Sequence, residues 1–189
     1  MNYADVPAFM VDLQSRQATA ALAVEFAILT AARSGEVLGA KWTEFDLDRG
    51  VWAVPAERMK AGREHRVPLS RRALKILKAL HESREGDFAF PAKKPNETLS
   101  GMALRMVLHR MKIDAVTVHG FRSSFRDWAA ECTNFTNEVC EAALAHVIEN
   151  KAEAAYRRGD MFEKRRKLME AWAVYCAAPK SGKVVAFRR

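Results

Sequence analysis

"FDLDRGVWAVPAERMKAGREHRVPLS", residues 45–70, is the stretch that decides the fold class. The turn residues Asp48-Arg49-Gly50 precede Val51–Val54, a run of valine and tryptophan that reads as a short strand. A second turn at Lys60-Ala61-Gly62 leads into another extended run. That run meets Pro68, which has no N–H for a ladder, so the strand ends there or lies at a sheet edge. A third short strand is expected in "DFAFPAKKP", residues 87–95, before a proline- and lysine-rich loop.

Outside these runs the periodicity is helical. "SRQATAALAVEFAILTAA", from Ser15, sets Leu22, Phe26 and Leu29 on one face. Arg33-Ser34-Gly35-Glu36 interrupts it, and "SGEVLGAKW" restarts as a short helix with Ser34 as its cap and Val37, Leu38 and Trp42 turned inward. Ser70 is placed to cap a helix from Arg71 to about Glu82 that buries Leu74, Leu77 and Leu80. Ser100 caps another running to Lys112. His119-Gly120-Phe121 leads into a helix over about 122–131, and Thr136 caps "NFTNEVCEAALAH". A break at Gly159-Asp160 precedes the longest clean helix, 161–176, with Phe162, Leu168, Met169, Trp172 and Cys176 on its apolar side. Residues 1–14 read as a lead-in segment, the end of an interdomain linker or a short helix. Residues 177–189 are a basic, Gly/Pro-punctuated tail. The sum is a mainly α (α+β) domain over 15–176 with a small three-stranded antiparallel sheet and no repeated βαβ units.

Size and charge narrow the class. The 189 residues, 49% hydrophobic and 29% charged, suffice for one globular core. The formal charge of +8 points to a polyanionic partner. It is unevenly spread: residues 1–50 carry −3 and 101–150 carry −1, against +5 for 51–100 and +7 for 151–189. Such asymmetry suits a docking surface better than uniform solubility. Cys132, Cys140 and Cys176 have no CxxC spacing, so neither a disulfide framework nor a zinc site is expected, and Cys140 reads as a small buried hydrophobe. A reducing, cytoplasmic setting fits. The first residues lack a secretion signal, residues 22–32 are interrupted by Glu25, and no stretch approaches a membrane span.

Singly, the basic residues say little. Arg33 ends an apolar helix at a small-residue junction, where most arginines simply reach solvent. Lys60 at a hairpin tip is also what an ordinary turn lysine looks like. His119 and Arg122 are three apart around a glycine, so Arg122 and the backbone N–H groups of a helix starting near Phe121 would face an anion together. His146 follows a capped helix, where the helix dipole alone favours a histidine. Together they form a chemistry. Two arginines and two histidines supply charge-assisted donors to phosphate oxygens, a lysine protonates a leaving oxygen, and a tyrosine, Tyr156, serves as a covalent nucleophile. No compact carboxylate cluster for magnesium is evident, so the expectation is phosphoryl transfer without a metal or other cofactor.

The ordered set closely resembles the catalytic domain of the tyrosine recombinases, especially the integrases of phages and genomic islands. "ARSGEVLGAKW" is similar to the family's first box, with Arg33 as the first clamp arginine and Glu36 bracing it. "ERMKAGREHRVPLS" resembles the hairpin of the catalytic lysine, Lys60. "HGFRSSFRDWAAE" resembles the H-x-x-R box, His119 and Arg122. "LAHVIENKAEAAYRRGD" resembles the last box, with His146 in the second histidine's place and Tyr156 as nucleophile. One departure is Ala145, where relatives usually have glycine, a difference that matters if the position needs a positive φ. Tyr175 reads as packing, and Tyr3 precedes the domain.

The resemblance implies a DNA breaking-rejoining fold and a site-specific recombinase. In such an enzyme Tyr156 attacks the scissile phosphate to form a 3′-phosphotyrosine while Lys60 protonates the 5′-oxygen. It implies double-stranded attachment sites as partners, a tetramer on DNA with the free chain able to remain a monomer, and accessory DNA-bending proteins. The tail, through Val184, Val185 and Phe187, is expected on a neighbouring protomer. The family's N-terminal DNA-binding domains are not in this sequence, so a fragment or truncated product with weak DNA binding alone is expected. Two rivals share the residues: type IB topoisomerase-like relaxation, and a non-catalytic DNA-binding module with salt-sensitive affinity.

Overall fold

The computed structural model describes residues 1–94, 96–146 and 159–178. Eight helices are named here: α1 (Val6–Gln14), α2 (Thr19–Thr30), α3 (Ser34–Leu38), α4 (Arg71–Glu82), α5 (Gly101–Arg110), α6 (Phe121–Cys132), α7 (Asn137–Ala143) and α8 (Phe162–Ala177). Three short strands, β1 (Phe45–Asp46), β2 (Val51–Val54) and β3 (His65–Pro68), form one antiparallel sheet in the order β1-β2-β3. The chain is thus mainly helical with a small three-stranded sheet, as its turn and strand signals predict.

The identity of one strand differs from expectation. The third partner of the sheet is Phe45–Asp46, paired Phe45↔Trp52 and Asp46↔Val51. Residues 87–94 contribute only bridges, Lys41↔Phe88 and Pro91↔Thr98. A two-residue strand carries no period to detect, whereas Phe88 and Phe90 imitate one. In β2, Trp52 and Val54 are buried and their neighbours are not, so one face packs on the core. Pro68 pairs with Val51 as the last residue of the edge strand β3, where its missing N–H does no harm.

Helix α2 is the axis of the core. It is buried on nearly every side, from Ala21 through Thr30, with only Leu22 of that run left half-exposed. The single Leu22/Phe26/Leu29 face expected from periodicity is therefore too narrow, because α1, α4, α5, α6 and α8 all pack around this helix. Phe26 meets Phe45, Trp52 and Phe90 at centroid distances of 6.1, 5.4 and 5.2 Å, joining α2 to the sheet. Glu25 is buried too. Arg72 Nε and Nη2 at 2.7 and 2.9 Å and Gln14 Nε2 at 2.8 Å satisfy its carboxylate. Residues 1–14 form a 3-10 turn and α1, whose Val6, Phe9, Met10 and Leu13 lie in the same core.

Helix ends follow local chemistry. Ser70 and Ser100 accept from the Ala73 and Ala103 N–H groups, as N-caps do. Ser34 is not a cap; it is the first residue of α3, and Arg33 occupies the cap position. Leu74 and Leu80 of α4 are half-buried, while Ala73, Ile76 and Leu77 face the core. The apolar side of α8 is as expected: Phe162, Leu168, Met169, Trp172 and Cys176 are all buried. Trp172 Nε1 donates to the Ile28 carbonyl at 2.8 Å, fixing α8 against α2.

Candidate active site

Arg33, Lys60, His119, Arg122 and His146 line one open cleft of about 440 Å³. They come from four separate segments: the α2–α3 junction, the β2–β3 hairpin, the turn that leads into α6 together with its first turn, and the end of α7. Ser123, Arg126, Asp127 and Leu144 complete the lining. Tyr156 lies outside the described residues, as do Val184, Val185 and Phe187.

Arg33 is placed by its local sequence. Helix α2 ends at Ala31, whose φ of +50° turns the chain sharply. Arg33 then caps α3, and Glu36 three residues on folds back over it. One Glu36 oxygen accepts the Arg33 backbone N–H at 2.9 Å and the other its Nη1 at 2.8 Å. A buried carboxylate at the start of a helix is favoured by the exposed amides there, and here it also fixes the direction of the guanidinium.

Arg122 is held quite differently. It sits in the first turn of α6, 7% exposed. Its Nη1 donates to the Ala31 carbonyl and its Nη2 to the Leu144 carbonyl, the latter at 2.7 Å. Those are the carbonyls of the residues that cap the C-termini of α2 and α7, at the negative ends of two helix dipoles. No carboxylate bonds it among the described residues. Burial and the neighbouring Arg33 charge lower its pKa to about 10, which still leaves a cation at neutral pH. A buried, charged fork with no anion of its own suits an incoming phosphate. The first-turn amides of α6 do not join it. Phe121, Arg122 and Ser123 N–H groups bond the Val118, His119 and Gly120 carbonyls, so the expected backbone contribution to anion binding is absent.

His146 follows from how α7 stops. The Ala145 N–H bonds the Ala142 carbonyl and the His146 N–H the Glu141 carbonyl, with Ala145 at φ +50°. This is a Schellman ending with alanine where glycine is preferred. The departure at Ala145 is thus at a position that does need positive φ. The turn brings His146 Nδ1 to 2.6 Å from Glu141 Oε2 and Nε2 to 3.2 Å from Arg122 Nη2. Glu141 Oε1 accepts from Arg126 Nε. Burial pulls the Glu141 carboxyl upward, but hydrogen bonds from Arg126 and His146 outweigh it and hold the group below its ordinary value.

Lys60 projects from the hairpin, exposed, in a turn closed by Gly62 N–H to the Met59 carbonyl at 3.0 Å, with Gly62 at φ +61°. Arg58, at the base of that turn, donates to the Glu36 carbonyl and to Glu44, so it ties the lysine hairpin to the helix that Arg33 caps. A Cβ on Gly39 would come within 3.0 Å of the Arg58 Nη2, so the glycine leaves room for this link. His119 is exposed at the cleft rim.

The other two tyrosines stand elsewhere. Tyr3 donates to Glu131 at 2.7 Å, which raises its phenol pKa, and Tyr175 stacks on Trp172 with centroids 5.7 Å apart. Neither lines the cleft. Arg58, Arg126 and Glu141 escaped sequence reading because their partners lie 22, 15 and 5 residues away and no periodic pattern relates them. Among the described residues, no group of histidines, cysteines and carboxylates is arranged to hold a metal ion, and no helix is long and apolar enough to cross a membrane. Cys140 and Cys176 are buried and Cys132 is exposed, all three as free thiols.

The clustered cations, the sheet and the helix order together define a class. A model of the Phage integrase family matches residues 1–161. The chain is 40% identical over 161 residues to the prophage integrase IntA of Escherichia coli K12, covering 84% of this chain and 39% of that protein. It is 34% identical over 173 residues to the integrase of Enterobacteria phage P4, again covering 82% and 39%. This chain belongs to the phage integrase family of tyrosine recombinases. It spans about two fifths of the length of those relatives. The fold matches that of a lambda integrase(75-356) dimer bound to a COC′ core site, with a TM-score of 0.59 at 22% identity over 78% of this chain and 57% of that one. A lambda integrase tetramer bound to a Holliday junction matches with a TM-score of 0.58, also at 22% identity, over 82% and 48%.

Proposed function

We propose that this chain is the catalytic part of a site-specific DNA recombinase that cuts and rejoins strands through a phosphotyrosine. The observation that carries this is the convergence of Arg33, Lys60, His119, Arg122 and His146, from four separate segments, on one cleft. Arg33 and Arg122 grip the non-bridging oxygens of a phosphodiester, with His119 and His146 as further donors. The two guanidinium groups supply charge stabilisation of the kind that a metal ion supplies in other phosphoryl transfers. Tyr156 gives its proton to His119 and attacks phosphorus; the P–O bond to the 5′-oxygen breaks as the 3′-phosphotyrosine forms, and Lys60 delivers a proton to that departing oxygen. A 5′-hydroxyl then reverses the step, so one phosphodiester is exchanged for another and no nucleotide is consumed.

The partners that fit are double-stranded attachment sites, with self-association on DNA to a tetramer. The expected start of the catalytic unit at residue 15 is too late, because α1 shares its core. A unit that includes α1 and runs to 176, with 177–189 as a tail that contacts a neighbour, belongs to the same proposal. The test is covalent trapping on nicked duplexes that carry a randomised core, read as an adduct stable to denaturant. The wild-type chain is expected to trap DNA and Tyr156→Phe to bind without trapping. Retention of the adduct by Tyr156→Phe overturns the assignment. Binding by the wild-type chain with no adduct favours the non-catalytic DNA-binding alternative.

A further inference from the structure

We infer that Glu141, itself held by Arg126, is a positioning residue that fixes the tautomer and direction of His146, so that Nε2 is the ring atom presented to the phosphate cleft. The inference rests on the proposed phosphodiester exchange and names a residue in it that acts through another.

Three contacts carry it. Arg122 has only donors, so its Nη2 at 3.2 Å from His146 Nε2 requires that nitrogen to offer its lone pair. The remaining ring proton must then be on Nδ1. That atom stands 2.6 Å from Glu141 Oε2, an acceptor placed to receive it. The two neighbours thus demand the same tautomer from opposite sides of the ring. The third contact removes the carboxylate's own freedom, because Glu141 Oε1 is held by Arg126 Nε from the neighbouring helix α6. A carboxylate on the far nitrogen of an imidazole is a common way to set which nitrogen faces the chemistry.

The backbone reinforces the side chains. The Schellman ending of α7 puts the His146 N–H on the Glu141 carbonyl at 3.1 Å. One residue therefore grips the histidine through main chain and side chain alike. The ring is left with its side chain 45% exposed while Glu141 is 28% exposed, so the brace lies deeper than the group it holds. When a phosphate enters, Arg122 turns its donor to the new anion. Nε2 then faces the cleft with Nδ1–H still on Glu141, and it needs a proton, but no ring flip, to donate to that anion.

Two readouts test this on the full chain. The first is the ¹⁵N spectrum of histidine-labelled, DNA-free protein, with the His146 signals assigned through His146→Asn. Nδ1–H is expected in the wild type and in Glu141→Gln, whose amide oxygen still accepts. A mixture with Nε2–H is expected in Glu141→Ala, where Arg122 alone still favours the Nδ1–H form. The second is the rate of covalent trapping on the randomised nicked duplexes. Glu141→Ala should slow it roughly 10- to 100-fold, in line with the loss of other histidine-orienting carboxylates. Glu141→Gln should recover most of the rate. In a His146→Ala background, Glu141→Ala should cost nothing more, since it acts only through that ring.

An Nε2–H ring in the wild type overturns the inference, as does wild-type trapping by Glu141→Ala or a full additional loss in the His146→Ala background. Those results leave Tyr156 chemistry intact if the wild-type chain still traps DNA. A wild-type chain that forms no adduct overturns the proposed exchange, and Glu141's part in it falls at the same time.

Discussion

The two arginines of the cleft are fixed by opposite means. Arg33 leans on Glu36, three residues away, and its side chain is 24% exposed. Arg122 is buried, bonds no carboxylate among the described residues, and instead closes on the ends of two helices that are 91 and 22 residues away in sequence. The first arrangement is local and self-contained. The second exists only once α2, α6 and α7 have packed, so it makes the cleft a product of the whole fold. A charged fork held by carbonyls keeps its full charge for the ligand, whereas one held by a carboxylate shares it.

The largest effect should come from breaking the long-range arrangement. Arg122→Lys cannot bridge both carbonyls and leaves a buried acceptor unmet, at a cost of about 2–4 kcal/mol. Trapping should fall at least about 100-fold, the scale of losing one donor to a developing oxyanion. Denaturant melts and adduct rates measure the two separately. Unchanged stability would show that α2 and α7 do not rely on the clasp.

His65 gives the next effect. It lies in β3 between the two arrangements. Burial and the Arg165 charge lower its pKa from 6.5 to about 4. Between those values the unfolded chain binds the proton and the folded chain does not, so stability is full above about pH 6.5 and is lost as pH falls towards 4. The loss is at most about 3 kcal/mol. Melts at pH 7 and pH 5 on the wild type and His65→Gln should differ in slope, with the variant flatter. Equal slopes would remove His65 as the cause.

Cutting the local arrangement should cost less. Glu36→Ala removes the acceptor for the Arg33 N–H and Nη1 and should destabilise by about 1–2 kcal/mol, the range of a lost N-terminal cap. The trapping loss should be smaller than for Arg122→Lys, because Arg33 keeps its place in the chain. A loss equal to that of Arg122→Lys would abolish the distinction between the two.

The smallest effect is a gain. Ala145→Gly relieves a left-handed residue and should stabilise by about 0.5–1 kcal/mol. His146 geometry should persist, since the Schellman bonds do not involve the side chain at that position. A loss of stability would mean that the alanine methyl has packing value beyond its strain.

The same division explains what the sequence reveals. Ser70 and Ser100 are legible because a cap is read from its neighbours, and the Lys60 hairpin because turn residues carry their geometry with them. Glu36 as the brace of Arg33 follows only from the family resemblance, since the local signals put the cap at Ser34 and not at Arg33. The dual-carbonyl seat of Arg122, the Arg58 tie and the Glu141 brace are not legible, because each joins elements whose meeting depends on the packed core. The misplaced third strand belongs with them. Phe45–Asp46 is too short to show a period, and only its pairing with Val51 and Trp52 makes it a strand. Even α2 misleads locally, since a helix surrounded on all sides has no polar face to define its apolar one.

One measurement tests the central claim most directly: identification of the residue joined to DNA after wild-type trapping, by protease digestion of the adduct and mass mapping of the linked peptide. The expected attachment is Tyr156, and Tyr156→Phe is expected to yield no adduct. Attachment at Tyr3 or Tyr175, or at any residue other than Tyr156, would contradict the proposal that the cleft presents one phosphate to that tyrosine.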